Sequence, residues 1–118
     1  DAMFASAWVE SRHHGRGLAR RALAAELDRR GVESADVQAA VAQLSPETEA
    51  ATARELVERK LASTSGQPAQ ARARKLVPLL ARKGYPAAIA YRVVREALEQ
   101  AGEDCELAGL DDEELDPA

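Results

Sequence analysis

The chain has 118 residues, of which 16 are Lys or Arg and 20 are Asp or Glu, giving a formal net charge of −4. Aromatic residues contribute only 3%, whereas Ala, Leu, Glu and Arg, which favour helices, recur throughout. The single Cys105 excludes an internal disulfide, and no apolar run of about 18 residues or signal-like segment is present. We therefore expect an all-α protein of the cytoplasm.

Apolar spacing divides residues 1–101 into six predicted helices. The predicted inward-facing residues are Phe4, Ala7, Trp8 and Ser11 in the first helix; Ala19, Leu23 and Leu27 in the second; Val37, Val41 and Leu44 in the third; Ala53, Leu56, Val57 and Leu61 in the fourth; Ala73, Leu76, Val77 and Leu80 in the fifth; and Ile89, Val93 and Ala97 in the sixth.

Helix boundaries are indicated by capping residues and by proline. Ser34 is a suitable N-cap for the third helix, and Ser45 followed by Pro46 is a suitable start for the fourth. The segment "STSGQP", residues 63–68, ends the fourth helix, and Pro86 begins the sixth.

Two features of the last two helices depart from a simple pattern. Pro78 lies within the fifth, so that helix either starts late, near Leu76, or is kinked. The sixth carries a second apolar stripe of Tyr91, Val94 and Leu98, which either packs in the core or contacts a partner.

A short phrase occurs twice, as "LAAELDRRGV" at residues 23–32 and "LVPLLARKGY" at residues 76–85. Each copy places two basic residues and a glycine where a helix is expected to end. Residues of the first half match residues of the second half at a nearly constant difference in residue number, which we call the offset. The offset is 48 for Trp8 with Leu56 and for Arg12 with Lys60. It is 53 for Gly31 with Gly84 and 52 for Val37 with Ile89. The offset changes only in loops, and its fall from 53 to 52 predicts that the second half lacks one residue in the turn after Gly84. Length changes confined to loops are typical of repeat proteins. We therefore predict stacked three-helix units at residues 1–44 and 45–101, forming an elongated, curved array.

The end of the chain is acidic. Residues 103–118 hold 8 of the 20 acidic residues and no basic one, which leaves the rest with a formal charge of +4. We predict that residues 102–118 form a disordered tail. This tail either aids solubility or competes with an anionic ligand for the basic body.

Catalytic and cofactor motifs are missing from the sequence. His13 and His14 are adjacent, so on a helix they diverge by about 100°, and we expect a surface turn rather than a metal site. The glycines of "HHGRG" follow no strand and precede no Gly-Lys-Ser or Gly-Lys-Thr element. We therefore expect no enzyme activity, metal or cofactor.

Clusters of basic residues remain to be explained. Cations at a helix C-terminus complement the helix dipole, which accounts for Arg29, Arg30, Arg82 and Lys83. The cluster at Arg72, Arg74 and Lys75 instead opens a helix, where an external anion or acidic partner is the natural explanation.

Aromatic residues limit how nucleic acid is bound. Single-strand binding uses stacking on aromatic side chains, but Phe4 and Trp8 lie in an apolar stripe typical of a core. Tyr85, beside Lys83, is the one plausible stacking residue. Autonomous, sequence-specific DNA recognition is therefore poorly supported.

The segment "AWVESRHHGRGLARRALAAELDRRGV", followed at a distance by "ARKLVPLLARKGYPAAIAYRVV", resembles the RecX family of regulatory proteins. The resemblance covers about residues 1–100. It implies tandem three-helix repeats, of which this chain resembles the last two of three. The residues that carry the resemblance are Phe4, Ala5, Trp8, Val9, Arg12, Gly15, Gly17, Leu18, Glu26, Leu27 and Gly31.

The resemblance implies binding to the RecA nucleoprotein filament, and to single-stranded DNA within it, by a monomer that does not contact membranes. Its expected effect is to restrain ATP hydrolysis, strand exchange and LexA cleavage in recombination, DNA repair and the SOS response. The alternatives are a stand-alone single-strand binder and a structural adaptor that uses Tyr91, Val94 and Leu98. The predicted contact residues are Arg16, Arg20, Arg72, Arg74, Lys75, Arg82 and Lys83.

Overall fold

The computed structural model describes residues 2–102. Of the predicted tail at residues 102–118, residues 103–118 lie outside the described part. The described part holds six α-helices and no strand, with principal extents of 47 × 25 × 20 Å. No helix within it has both the length and the apolar character needed to cross a membrane. The helices are α1 (Ala2–Arg16), α2 (Arg20–Arg29), α3 (Ser34–Val41), α4 (Pro46–Leu61), α5 (Ala69–Arg82) and α6 (Ala87–Gln100), with one 3-10 turn at Ala62–Thr64. The prediction of an elongated all-α array of three-helix units is confirmed.

The first unit, α1 to α3, has its own apolar core. Helices α2 and α3 bury the predicted residues Leu23, Leu27 and Val37. Helix α1 buries Ala5 and Val9 instead of the predicted face. That predicted face consisted of Phe4, Ala7, Trp8 and Ser11.

The prediction for the α1 face is wrong because the space between α1 and α3 is narrow, and side-chain size decides which residues of α1 lie in it. Small side chains at Ala5 and Val9 let α1 pack closely on α3. The larger rings lie at the edge of this contact, where Phe4 is 43% exposed and Trp8 is half-buried.

The second unit, α4 to α6, buries both stripes of its last helix. Val93 and Ala97 of the first stripe and Val94 and Leu98 of the second all lie in the core with α4 and α5. An adaptor surface of Tyr91, Val94 and Leu98 is therefore excluded, because two of its three side chains are fully buried.

The repeated phrase forms the same helix end twice. Gly31 and Gly84 follow the capping residues of α2 and α5 with φ angles of +81° and +95°, a region that favours glycine. In each copy the glycine N–H donates to the carbonyl three residues back, at 3.0 Å, and the next N–H donates to the carbonyl five residues back, at 3.1 Å. This is a Schellman motif, which satisfies carbonyls that the helix end would otherwise leave open.

The register between the units differs from the prediction after these glycines. Helix α3 begins at Ser34 and α6 at Ala87, so the offset stays at 53. The buried residues correspond at the same offset: Val37 with Ala90, Ala40 with Val93, Val41 with Val94, and Leu44 with Ala97. The prediction that the second unit lacks one residue here, which matched Val37 with Ile89, is therefore wrong. The buried residues show that Val37 corresponds to Ala90.

Other boundary predictions had mixed outcomes. Ser45 caps α4 as predicted, because its Oγ accepts the Thr48 N–H at 3.0 Å. Ser34 does not cap α3, because Glu33 occupies the N-cap position. Helix α5 starts at Ala69, so the late start near Leu76 is wrong and Pro78 lies inside the helix.

Candidate functional site: a cationic surface at the joint between the units

The short connection between α1 and α2 joins the two units. The Ala19 N–H donates to the carbonyl of Lys83 at 2.9 Å, and the Tyr85 hydroxyl donates to the carbonyl of Gly17 at 2.8 Å. In return, the Lys83 ammonium donates to the carbonyl of Arg16 at 2.9 Å. The end of α5 is thus bonded directly to the connection in the first unit.

Tyr85 belongs to this joint and is not available for stacking. Its side chain is 1% exposed, so the prediction of a base-stacking role is wrong. Burial, with the negative charge of Glu49 contributing, raises the pKa of Tyr85 well above its usual range. Tyr85 therefore stays a neutral hydrogen-bond donor.

Two glycines allow the units to approach closely. A Cβ atom at Gly84 would lie 2.8 Å from the Cβ and 2.9 Å from the backbone nitrogen of Ala22. A Cβ atom at Gly17 would lie 2.9 Å from a methyl group of Leu56. Both distances are below ordinary carbon contacts. The backbone of Ala22 cannot move aside, so Gly84 needs glycine for packing as well as for its positive φ angle, whereas at Gly17 the Leu56 side chain is able to shift and the positive φ angle is the stronger constraint.

His13 is part of the same joint. Its ring is fully buried in α1, with Nδ1 2.7 Å from the carbonyl of Leu18 and Nε2 2.7 Å from the hydroxyl of Thr52. Because a carbonyl only accepts, Nδ1 carries a proton. The predicted surface turn at His13 is therefore wrong: α1 continues to Arg16 and uses this histidine to bond the second unit.

Glu49 holds the start of α2 against α4. Its carboxylate is buried and accepts the backbone N–H of Arg20 at 2.7 Å, while the Arg20 guanidinium lies 3.5 Å away. A carboxylate at a helix N-terminus is favoured by the helix dipole. Arg20, a predicted partner contact, is thus already paired within the chain.

A cationic cleft of about 510 Å³ opens beside the joint, and we call it the junction cleft. Its lining residues are Gly15, Arg16, Leu56, Arg59, Lys60, Leu79 and Lys83. Four of them are cations and none is acidic. Arg59 also borders a shallow hollow with Glu55 and Glu58, but no carboxylate of residues 2–102 forms an ion pair with it.

A second cleft of about 360 Å³ surrounds Trp8, and we call it the Trp8 notch. The guanidinium carbons of Arg12 and Arg30 each lie 4.3 Å from the centre of the Trp8 ring. The indole N–H donates to Glu26 at 2.9 Å. Cation–π contacts of this kind hold the two arginines in place. The notch is lined by Trp8, Arg12, Arg16, Glu26, Arg29 and Arg30.

The two clefts occupy equivalent positions in the two units. The equivalent pairs are Trp8 with Leu56 and Arg12 with Lys60 at an offset of 48, and Glu26 with Leu79 and Arg30 with Lys83 at an offset of 53. Arg16 lines both clefts and connects them. We call the combined surface the cationic ledge, formed by Arg12, Arg16, Arg29, Arg30, Arg59, Lys60 and Lys83.

The structure brings together only part of the predicted contact set. Arg16 and Lys83 lie on the ledge. Arg74, Lys75 and Arg82 are exposed but line neither cleft.

Arg72 has a structural role that the sequence did not reveal. Its side chain is only 6% exposed; Nε donates to the hydroxyl of Thr64 and Nη2 to the carbonyl of Leu61, each at 2.9 Å. A cation at the start of α5 therefore caps the end of α4 and needs no external anion. This burial disagrees with a partner contact by Arg72.

Arg59 and Lys60 were missed as site residues because they follow an ordinary helical pattern in the last turn of α4. The repeat could have indicated Lys60 as a site residue, because Lys60 corresponds to the basic Arg12 of the first unit. Within residues 2–102, no group of three His, Cys, Asp or Glu side chains is placed to hold a metal ion. The fold and the ledge together define a tandem array of three-helix units with a cationic surface across their joint.

Comparisons with known proteins agree with this class. Residues 1–41 match the family model for the second three-helix domain of RecX, and residues 47–94 match the model for the third. The chain therefore belongs to the RecX family.

Several relatives carry the name Regulatory protein RecX. That of Thermobifida fusca is 63% identical over 102 residues, which are 86% of this chain and 55% of the relative. That of Streptomyces coelicolor is 60% identical over 109 residues, or 92% of this chain and 58% of the relative. That of Amycolatopsis mediterranei is 44% identical over 116 residues, or 98% and 65%. The chain thus spans between about half and two-thirds of the length of these relatives, and no solved structure matches it significantly.

Proposed function

We propose that this chain regulates the RecA recombinase by binding the RecA nucleoprotein filament through the cationic ledge. The observation that carries the proposal is the junction cleft, where four cations from both units converge with no acidic residue in the lining. Membership of the RecX family and the names of the relatives support RecA as the partner.

The ledge suits a polymer more than a small molecule. Its two clefts are open, repeat-related and connected through Arg16, so one extended anion is able to contact both units. Clustered positive charge attracts phosphates or acidic side chains over long range and speeds association. In this proposal the anion is the DNA inside the filament or an acidic face of successive RecA protomers.

The proposed mechanism needs no bond-making residue. A monomer lying along the filament bridges neighbouring protomers, and the joint keeps the two clefts at a fixed separation. Bridging restrains the changes in the filament that accompany ATP hydrolysis, strand exchange and LexA cleavage. Residues 1–44 and 45–101 act as the two binding units.

The test is a titration of the chain into RecA assembled on single-stranded DNA. ATP turnover should fall as the chain is added, and replacing Arg59 and Lys60 together with Ala should weaken this effect. The competing proposal is a stand-alone single-strand binder. Unchanged ATP turnover, together with tight and steeply salt-dependent binding to bare single strands, would favour that alternative.

A further inference from the structure

The junction cleft has positive charge but no counter-ion among residues 2–102. None of Arg16, Arg59 and Lys60 forms an ion pair with a described carboxylate, and the Lys83 ammonium donates to a neutral carbonyl. Like charges gathered at one cleft repel one another, which destabilises the arrangement until an anion covers it. The cleft therefore favours an anionic occupant.

The chain itself contains a segment of opposite charge. Residues 103–118 hold eight acidic residues and no basic one, against a formal charge of +4 for the remainder. The described residues end at Gly102, directly after α6.

The position of α6 puts this segment within reach of the cleft. Arg54 of α4 is hydrogen-bonded through its guanidinium to the side chain of Gln100, the last residue of α6. Arg59 lies five residues further along α4, which is about 8 Å along the helix axis. Sixteen residues span up to about 50 Å when extended, so chain length does not prevent contact.

We propose that residues 103–118 bind across the junction cleft of the same molecule, and that an external polyanion must displace them. This inference rests on the proposed function insofar as the filament is the displacing ligand. Only molecules whose cleft is free bind the external polyanion, so the apparent affinity for that polyanion falls in proportion to the fraction of free clefts. If residues 103–118 occupy the cleft in about two-thirds of the molecules, binding of the polyanion is about threefold weaker. Weakly anionic surfaces are thereby rejected, while the filament competes successfully.

The first test uses Cys105, the single cysteine of the chain, as the attachment point for a nitroxide spin label. Binding in the cleft should broaden the NMR signals of the Arg16, Arg59 and Lys60 amides. Amides of α3, which packs on α1 and α2, serve as the internal control. Replacing Arg59 and Lys60 with Glu should abolish the selective broadening.

Three outcomes of this test would overturn the proposal. They are broadening confined to the end of α6, broadening of α3 equal to that of the cleft, and broadening that appears only between a labelled and an unlabelled molecule. The last outcome would mean that the acidic segment binds a second copy of the chain.

The second test separates binding in the cleft from a general effect of net charge. A variant in which Asn replaces each Asp and Gln replaces each Glu of residues 103–118 should bind a fluorescent oligothymidylate about threefold more tightly than the wild-type chain does. The gain should vanish when Arg59 and Lys60 are also replaced with Glu. An equal gain in that background would contradict the proposal, because it would come from the long-range field alone.

Failure of this proposal is distinguishable from failure of the proposed function. If the label shows no selective contact but the chain still lowers RecA ATP turnover, only the intramolecular contact is wrong. If the label shows the contact but RecA is unaffected, the proposed function is wrong.

Discussion

Replacing Gly84 with Ala tests whether the two units pack as one body. Its repeat equivalent, Gly31, provides a matched control because both glycines follow a helix cap with φ near +90° and make the same backbone hydrogen bonds. Alanine at positive φ costs roughly 1–2 kcal/mol at either position. Only Gly84 also faces a neighbour, since an added Cβ would lie 2.8 Å from that of Ala22, whereas nothing lies within 4 Å at Gly31.

The additional cost at Gly84 follows from the rigidity of its neighbour. Ala22 lies within α2, and its backbone nitrogen is also only 2.9 Å from the added atom. Overpacking of this kind costs about 1–3 kcal/mol. We therefore expect Gly84→Ala to lower the free energy of unfolding by about 2–5 kcal/mol, and Gly31→Ala by about 1–2 kcal/mol.

Urea unfolding followed by far-UV circular dichroism measures both variants. The difference between them isolates the contact between the units, since the conformational strain is shared. Equal losses, or a larger loss for Gly31→Ala, would refute the close approach of the end of α5 to α2.

Further predictions concern the joint and the helix cap. Tyr85→Phe should lower the free energy of unfolding by about 1–3 kcal/mol in urea titrations, because the Gly17 carbonyl loses its donor. Because burial raises the pKa of Tyr85, the unfolded phenol ionises first as the pH rises above about 10, so wild-type stability should fall there. Tyr85→Phe should lack that part of the pH dependence, and an identical pH profile would contradict the assignment. Arg72→Ala should lower the free energy of unfolding by about 1.5–3 kcal/mol through loss of its charged hydrogen bonds. The control, Lys75→Ala at an exposed position, should change it by no more than about 0.5 kcal/mol. Thermal unfolding measures both variants, and a loss for Lys75→Ala as large as that for Arg72→Ala would contradict the capping role.

Periodicity and local caps account for most of the fold. Leu23 and Leu27, with their counterparts Leu76 and Leu80, lie on one face of their helices, and all four are buried as predicted. The face of α1 was not predictable in this way. Aromatic rings outweigh Ala5 in hydrophobicity, but the narrow gap between α1 and α3 selects small side chains.

The candidate site was predictable only in part, because it depends on contacts between the units. The sequence indicated that Arg16 and Lys83 are basic residues near glycine turns. It did not show that Arg72 is directed inward to cap α4, or that Arg59 and Lys60 share a cleft with them. These outcomes depend on where the Gly17 connection meets the end of α5, which no local pattern specifies.

The central claim is that the ledge, and not basic charge in general, binds the filament. Its most direct test compares two double charge reversals that change the net charge equally: Arg59 and Lys60 to Glu on the ledge, and Lys75 and Arg82 to Glu away from it. Affinity for RecA assembled on single-stranded DNA is measured by fluorescence anisotropy, after circular dichroism has verified that both variants fold. We expect the ledge variant to lose about tenfold or more in affinity and the control variant to lose less than about threefold, because only the first loses direct contacts with the polyanion. Equal losses, or a larger loss for the control variant, would contradict the account.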